Sequence, residues 1–317
     1  MRRLILILLF AIPLSVFAQP AKTIEIGSFN IEWFPCKDDG EMMKKYNINL
    51  RRPPHGEATN TQMLFEFLKQ EDIELLGVVE IVDPQLLDSL AKVYLGPQFK
   101  VIYAPSASSQ KVGFLYDSSV LEVIGQPEVY SSVTLKPGSW LRPAFRAYFK
   151  VKPDGFDFHA IITHLKAAPS GWKTRKKQWN IALKNILNNL QTQSPDKDII
   201  LMGDFNNVSK LGYQEFLPVI KSLHFTWLTQ EIVNRGLFTD YWSPYELHGG
   251  ISGSVIDQIF ISSDMTQEYV PHSVNVGGMC ARGKKIYQPD EIPDYYKYIS
   301  DHCPVFATFR ADVDNDK

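Results

Sequence analysis

Apolar positions along this chain fall into short blocks rather than long amphipathic stretches. Apolar or alternating runs recur at 24–29, 74–79, 99–103, 111–116, 145–151, 156–163, 198–202, 255–262 and 303–309, most of them rich in Val, Ile, Phe and Tyr. That length and composition predict β-strands. Helical patterns are expected near 60–70, 84–93, 172–192 and 212–221, with Asn60 or Thr59 capping the first and Gly212 marking the start of the last. Strands outnumber helices and keep interrupting them, without the strict alternation of a doubly wound parallel sheet. The expected fold is α/β of the α+β kind, with two packed sheets flanked by helices. Segments 36–58, 104–110, 130–143 and 277–297 read as surface loops, where substrate specificity would reside. No repeat, low-complexity tract or long linker divides the chain, so residues 19–317 are expected to form one domain.

The first eighteen residues stand apart. Arg2 and Arg3 precede an apolar run from Leu4 towards Phe17, and Val16 and Ala18 supply small residues before Gln19. This is the pattern of a signal peptide cleaved after Ala18, and it predicts a secreted or periplasmic protein. The run is short for a membrane span and broken by Pro13, and no later stretch approaches ~20 apolar residues, so no stable membrane insertion is expected. With 317 residues, 44% hydrophobic and 21% charged, the chain can bury a full core, and a monomer is expected. Loss of Arg2 and Arg3 with the leader leaves 31 basic against 35 acidic residues, which gives no global attraction to a polyanion. Three cysteines exclude a disulfide-dense scaffold and allow at most one bridge, for which Cys36 with Cys280 is weighed without being favoured, and Cys303 is expected to be a buried thiol.

Polar residues at the ends of the apolar runs carry the chemistry. Ser28-Phe29-Asn30-Ile31-Glu32, Val79-Glu80, Met202-Gly203-Asp204-Phe205-Asn206 and Ser300-Asp301-His302-Cys303-Pro304 place carboxylates, amides and an imidazole at strand ends. One acidic residue in such a place is usually solvated surface; four such segments point to a site. Hydrolysis of a phosphodiester needs charge neutralisation, an activated water and help for the departing oxygen. Glu32, Glu80 and Asp301 offer the hard oxygens that Mg²⁺ prefers, with Asn30 as a neutral ligand or supporting partner. His302 would be oriented by a carboxylate on its other ring nitrogen, for which Asp257 is the candidate. His164, read alone, is a structural histidine.

The ordered set SFNIEW, VVEIVD, LRPAF, THLKAAP, MGDFNN, VIDQIF and SDHCPV, spanning about residues 24 to 309, resembles the endonuclease/exonuclease/phosphatase superfamily, the fold of deoxyribonuclease I. The resemblance implies a four-layered α/β sandwich of two mixed sheets with helices outside. It implies a metal at Glu80 with Asn30 and Asp301 close by, and Glu32 at an acidic position seen in some members. Asp204 and Asn206 would orient water and hold the phosphate, His302 would pair with Asp257, His164 would be the second catalytic histidine, and Arg142 would lie near the phosphate. Mg²⁺ is the implied cofactor, with Mn²⁺ as a substitute and Ca²⁺ as a modulator. Two departures stand out. Gln110 replaces the carboxylate that orients the second histidine in deoxyribonuclease I, which weakens His164 as a general acid. Val82 replaces an arginine that contacts DNA.

The implied activity is a secreted phosphodiesterase, an endonuclease acting on DNA first and RNA second, with a sphingomyelinase-like lipid phosphodiesterase or an inositol polyphosphate phosphatase as alternatives. An inactive binding relative predicts a broken site, which the intact residue set speaks against. For nucleic acid, Lys173, Arg175, Lys176 and Lys177 with Trp172 and Trp179 form a candidate phosphate rail, and Arg282, Lys284, Lys285 and Tyr287 a second rim. For lipid, Tyr295, Tyr296 and Tyr298, or Trp242 and Tyr245, are the candidate exposed aromatics.

Overall fold

The computed structural model describes residues 22–36, 58–106, 108–207 and 210–315. The expected signal peptide and residues 37–57 of the expected 36–58 loop lie outside the described residues. In chain order the strands are β1 (Thr23–Phe34), β2 (Leu75–Ile81), β3 (Phe99–Tyr103), β4 (Lys111–Asp117), β5 (Leu121–Tyr130), β6 (Ala144–Val151), β7 (Asp157–His164) and β8 (Ile199–Asp204). They continue with β9 (Phe225–Trp227), β10 (Asp240–Trp242), β11 (Ile251–Ser254), β12 (Asp257–Ser262), β13 (Asn275–Val276), β14 (Ile286–Tyr287) and β15 (Val305–Arg310). Two mixed six-stranded sheets result, ordered β13-β15-β1-β2-β4-β3 and β5-β6-β7-β8-β12-β9, with a small β10-β11-β14 sheet beside them.

The layering follows from how β8 divides its side chains. Every residue of β8 is buried, which is why it reads as a continuous apolar run instead of an alternation. Ile200 and Met202 join the core between the sheets, while Ile199 and Leu201 join a second core beneath the helices. On β12, Ile259 and Ile261 face inward and Phe260 outward. Gly77 leaves room for side chains of the facing sheet, because a Cβ there would lie 2.8 Å from both Ile162 and Met202. The expected sandwich is therefore present.

Helices α1 (Thr61–Glu71) and α2 (Pro84–Tyr94) pack on the first sheet through Leu64, Phe65, Leu68, Leu87 and Ala91. Asn60 caps α1 by accepting the Met63 N–H at 3.0 Å, and Asp83 caps α2 by accepting the Leu86 N–H at 3.1 Å. Helix α3 runs over 172–193 with a π-helical turn at Gln178–Leu183, and α4 (Lys210–Ser222) begins before the Gly212 expected to start it. Two short helices, α5 (Gln230–Asn234) and α6 (Asp294–Tyr298), complete the set. Trp179, expected on a basic rail, is 2% exposed and packs against Phe205 and Phe216 in the core beneath the helices. Burying a side chain of this size contributes roughly 2–3 kcal/mol.

The disulfide expectation is corrected. Cys280 bonds to Cys303, and Cys36 is buried outside the bridge. The segment Gly278–Arg282 folds against the last strand and brings the two Cα atoms to 6.1 Å. Among the described residues no helix is long and apolar enough to cross a membrane.

Candidate active site

The polar strand ends meet because of register. His164, Asp204 and Asp257 stand side by side, since β7 runs parallel to β8 with His164 opposite Asp204, and β12 runs antiparallel with Asp257 opposite Asp204. On the facing sheet β1 and β2 run parallel and β15 antiparallel to β1, so Glu32, Glu80 and the Asp301-His302 turn before β15 gather at one end. The pairing of β1 with β2 slips between Asn30 and Phe34, and that of β2 with β4 between Val79 and Ile81. Such irregularities re-aim side chains. Glu32, Trp33, Glu80 and Asn206 all have positive φ, between 43° and 64°. Left-handed backbone costs non-glycine residues energy and persists where surroundings enforce it. Gly203, at φ 133°, is needed because a Cβ there would lie 1.9 Å from the Thr163 carbonyl oxygen.

Hydrogen bonds link the two halves. Asn30 Nδ2–H donates to Asp204 Oδ2 at 3.1 Å and lies 3.3 Å from His302 Nε2, while its Oδ1 accepts the Glu32 N–H at 3.0 Å. Glu32 Oε2 accepts the Asp301 N–H, and Glu80 Oε2 the Trp33 N–H, both at 3.1 Å. Asp204 Oδ1 accepts the Asn206 N–H at 2.8 Å. The Ser300 hydroxyl donates to the Asn30 carbonyl and accepts the His302 N–H. His302 Nδ1 lies 2.8 Å from Asp257 Oδ2, the expected pair. The expected residues Asn30, Glu32, Glu80, His164, Asp204, Asn206, Asp257, Asp301 and His302 are thus brought together.

Burial sets the charges. It would lower the pKa of His302, but the charges of Asp257 and Asp301, the Asp257 hydrogen bond and the charge of Asp204 outweigh it and hold the ring well above its ordinary value. Burial lifts Asp204 to about 6 against the pull of His302. Burial and the neighbouring charge of Glu80 lift Glu32 to about 8. His164 is pushed well below its ordinary value by burial, then by the charges of Arg142 and His302. It is the neutral histidine of the site.

Two expected roles are corrected. Gln110 does not hold the His164 ring, whose nitrogens have no hydrogen-bond partner among the described residues; its Nε2 lies 3.4 Å from Asp204 Oδ2 and 3.7 Å from Glu80 Oε1. Gln110 is buried and is not among the residues lining the cleft. Arg175 is not a rail residue: it is 2% exposed and donates to the carbonyls of Lys166 at 2.7 Å and Ala168 at 2.6 Å. It braces the 165–169 loop, leaving Lys173, Lys176 and Lys177 exposed. Arg142 is buried near Glu80 and Asp204, with its Nη2–H donating to the Leu165 carbonyl at 2.8 Å. Tyr287, Tyr295 and Tyr296 are buried and form no exposed rim or hairpin, whereas Trp242 and Tyr245 are 47% and 92% exposed. Val82 is fully buried.

The cleft has a volume of about 270 Å³ and is lined by Glu80, His164, Asp204, Asn206, Asp301 and His302, with Ala167, Ala168, Pro169, Ile256 and Trp242 as its apolar part. Asp240 also lines it, a position the sequence reading did not assign. An acidic residue inside the Phe238-Thr239-Asp240-Tyr241-Trp242 run was the available signal, since a carboxylate among large apolar neighbours is buried for a reason. Burial lifts Asp240 to about 6, partly offset by His302.

The donor set suits a divalent cation. Asp204, Asp257 and His302 bring one ligand atom each within 4.8 Å of one another, but His302 Nδ1 and Asp257 already satisfy each other. Glu32 is a buried carboxylate and Glu80 a half-buried one, and their charges oppose one another. A hard cation that keeps most of its waters needs one or two such oxygens, and it would relieve their repulsion.

A family model described as Endonuclease/Exonuclease/phosphatase family matches residues 27–302. No curated protein matches the chain by sequence. Among solved structures, D. rerio TDP2 complexed with a single-strand DNA product is similar at 16% identity and TM-score 0.60, covering 90% of this chain and 98% of that one. An endonuclease/exonuclease/phosphatase family protein from Bacteroides thetaiotaomicron is similar at 16% identity and TM-score 0.57, covering 92% and 99%. A mannosyl-6-phosphatase from the same organism is similar at 15% identity and TM-score 0.55, covering 90% and 98%.

Proposed function

The chain belongs to the endonuclease/exonuclease/phosphatase family and is a hydrolase of phosphoester bonds; from that premise we propose that it is an exported, magnesium-dependent phosphodiesterase that cuts nucleic acid, DNA first. Asp204, a carboxylate at neutral pH and held by Asn30 and the Asn206 N–H, takes the proton of the attacking water. Asn206 holds a phosphoryl oxygen. His302, kept protonated by Asp257, faces the charge that develops on the phosphate and supplies a proton to the departing oxygen. His164, neutral, donates a hydrogen bond to the phosphate without competing for that proton. Arg142 adds positive potential behind the cleft. Magnesium held by Glu80, with Glu32 and Asp301 beside it, would neutralise phosphoryl charge.

The observation that carries the nucleic-acid reading is Trp242, which lines the catalytic cleft yet stays 47% exposed. A flat aromatic face next to a phosphate site fits a stacked base, worth ~1–3 kcal/mol per base. The Cys280–Cys303 disulfide supports export, because such bonds persist in oxidising compartments. The test is cleavage of plasmid DNA, RNA, sphingomyelin and an inositol polyphosphate by residues 19–317 with magnesium, with manganese and with chelator, using Asp301→Ala as control. Metal-dependent nicking lost in Asp301→Ala is expected. Release of phosphocholine or phosphate with the plasmid intact would move the activity to the lipid or phosphatase branch.

A further inference from the structure

Asp240 is a cleft residue with no task in the chemistry above. Its β-bridge to His302 sets the two residues side by side, and Trp242, two residues on, reaches the same cleft. Directly paired residues project on one face of a sheet, with Cβ atoms about 5 Å apart. Yet Asp240 is not what orients His302, since Nδ1 is taken by Asp257. Among the described residues it forms no ion pair with lysine or arginine; its Oδ1 accepts the Ser254 hydroxyl from the neighbouring strand. At 4% exposure its charge is poorly screened and acts on what enters the cleft.

A phosphodiester brings one negative charge to the site. A phosphomonoester brings nearly two at neutral pH, because its second ionisation lies near ~6. A fixed carboxylate beside the phosphate therefore works against the monoester's second charge and leaves the diester less affected. We propose that Asp240 is a specificity-determining residue that selects phosphodiesters over phosphomonoesters. The inference rests on the phosphodiesterase reading and names what in this cleft enforces it. Closing a terminal phosphate out of the cleft also means that the product of strand cleavage, a phosphomonoester end, is released instead of retained.

The experiment measures kcat/KM for bis(p-nitrophenyl) phosphate and for p-nitrophenyl phosphate with magnesium at pH 8, for the wild type, Asp240→Asn, Asp240→Ser and Asp240→Glu. The diester-to-monoester ratio is expected to fall at least ~10-fold in Asn and Ser and to be kept in Glu, which retains the charge. A structural role would depress both substrates together, so an unchanged ratio in a folded Asn or Ser variant overturns the proposal. Thermal melting identifies a variant that has not folded, and either neutral variant suffices for the comparison. If the wild type itself prefers the monoester, the phosphodiesterase reading fails. The Asn-to-wild-type comparison still decides whether Asp240 discriminates.

Discussion

Asp257→Asn tests the charge logic of the site most directly. The substitution keeps size and shape but removes the carboxylate that lies 2.8 Å from His302 Nδ1, leaving an amide. A hydrogen bond between charged partners contributes about 1.5–3 kcal/mol. At about 1.4 kcal/mol per tenfold, this is a loss of roughly 10- to 150-fold in kcat/KM if His302 acts as a cation in the transition state. A second consequence concerns pH. Asp257 leads the groups that raise the His302 pKa against burial, so its removal lowers that pKa. The alkaline limb of the kcat profile should then move to lower pH, because the acid is lost earlier. The assay is plasmid nicking or diester turnover from pH 6 to 10 with saturating magnesium. A loss under threefold with an unmoved alkaline limb would refute the idea that Asp257 sustains a charged His302.

The remaining predictions concern stability and support. Glu32 has its folded pKa raised to about 8, and Asp204 and Asp240 theirs to about 6, so the folded protein binds more protons than the unfolded chain between their ordinary values and these. Stability of the metal-free protein should fall as pH rises from 4 to 8, and magnesium should raise the melting temperature more at pH 8 than at pH 5.5; calorimetry showing the reverse order would contradict the assignment. Opening the disulfide, which closes a span of 23 residues, should cost about 3 kcal/mol, so Cys280→Ser should lower the denaturation midpoint. Arg175→Lys keeps the charge but loses the fork that grips the Lys166 and Ala168 carbonyls, and should cost about 2 kcal/mol and raise KM, whereas Lys173→Ala and Lys177→Ala should leave the melting temperature within a degree or two.

The site was legible in the sequence because its residues sit at the ends of long strands. Runs such as 198–202 and 158–163 are buried over their whole length, so their apolar character survives without any knowledge of partners, and the first polar residue past each end marks where the sheet stops. What the sequence did not show has two physical causes. Strands β10, β11 and β14 have two to four residues each, too short to display a period, so the small sheet that carries Asp240 and Trp242 into the cleft was not among the expected elements. Strand β5 has ten residues, but all except Leu121 are exposed or only partly buried and it contains Gly125, Gln126 and Pro127, which break its apolar pattern. Tertiary contacts explain the rest: Arg175 looked like a solvated helix cation but is held by loop carbonyls, and Cys303 found Cys280 only because a loop folds back. The reading that His164 is held by Gln110 failed for a related reason. It transferred a partner from the family pattern to a side chain that packs elsewhere, whereas the residues placed by register alone, Asp204, Asp257 and His164 in one row, were where the pattern put them. Strand register is a property of this chain's own backbone, and it is the level at which a family resemblance transfers residue by residue.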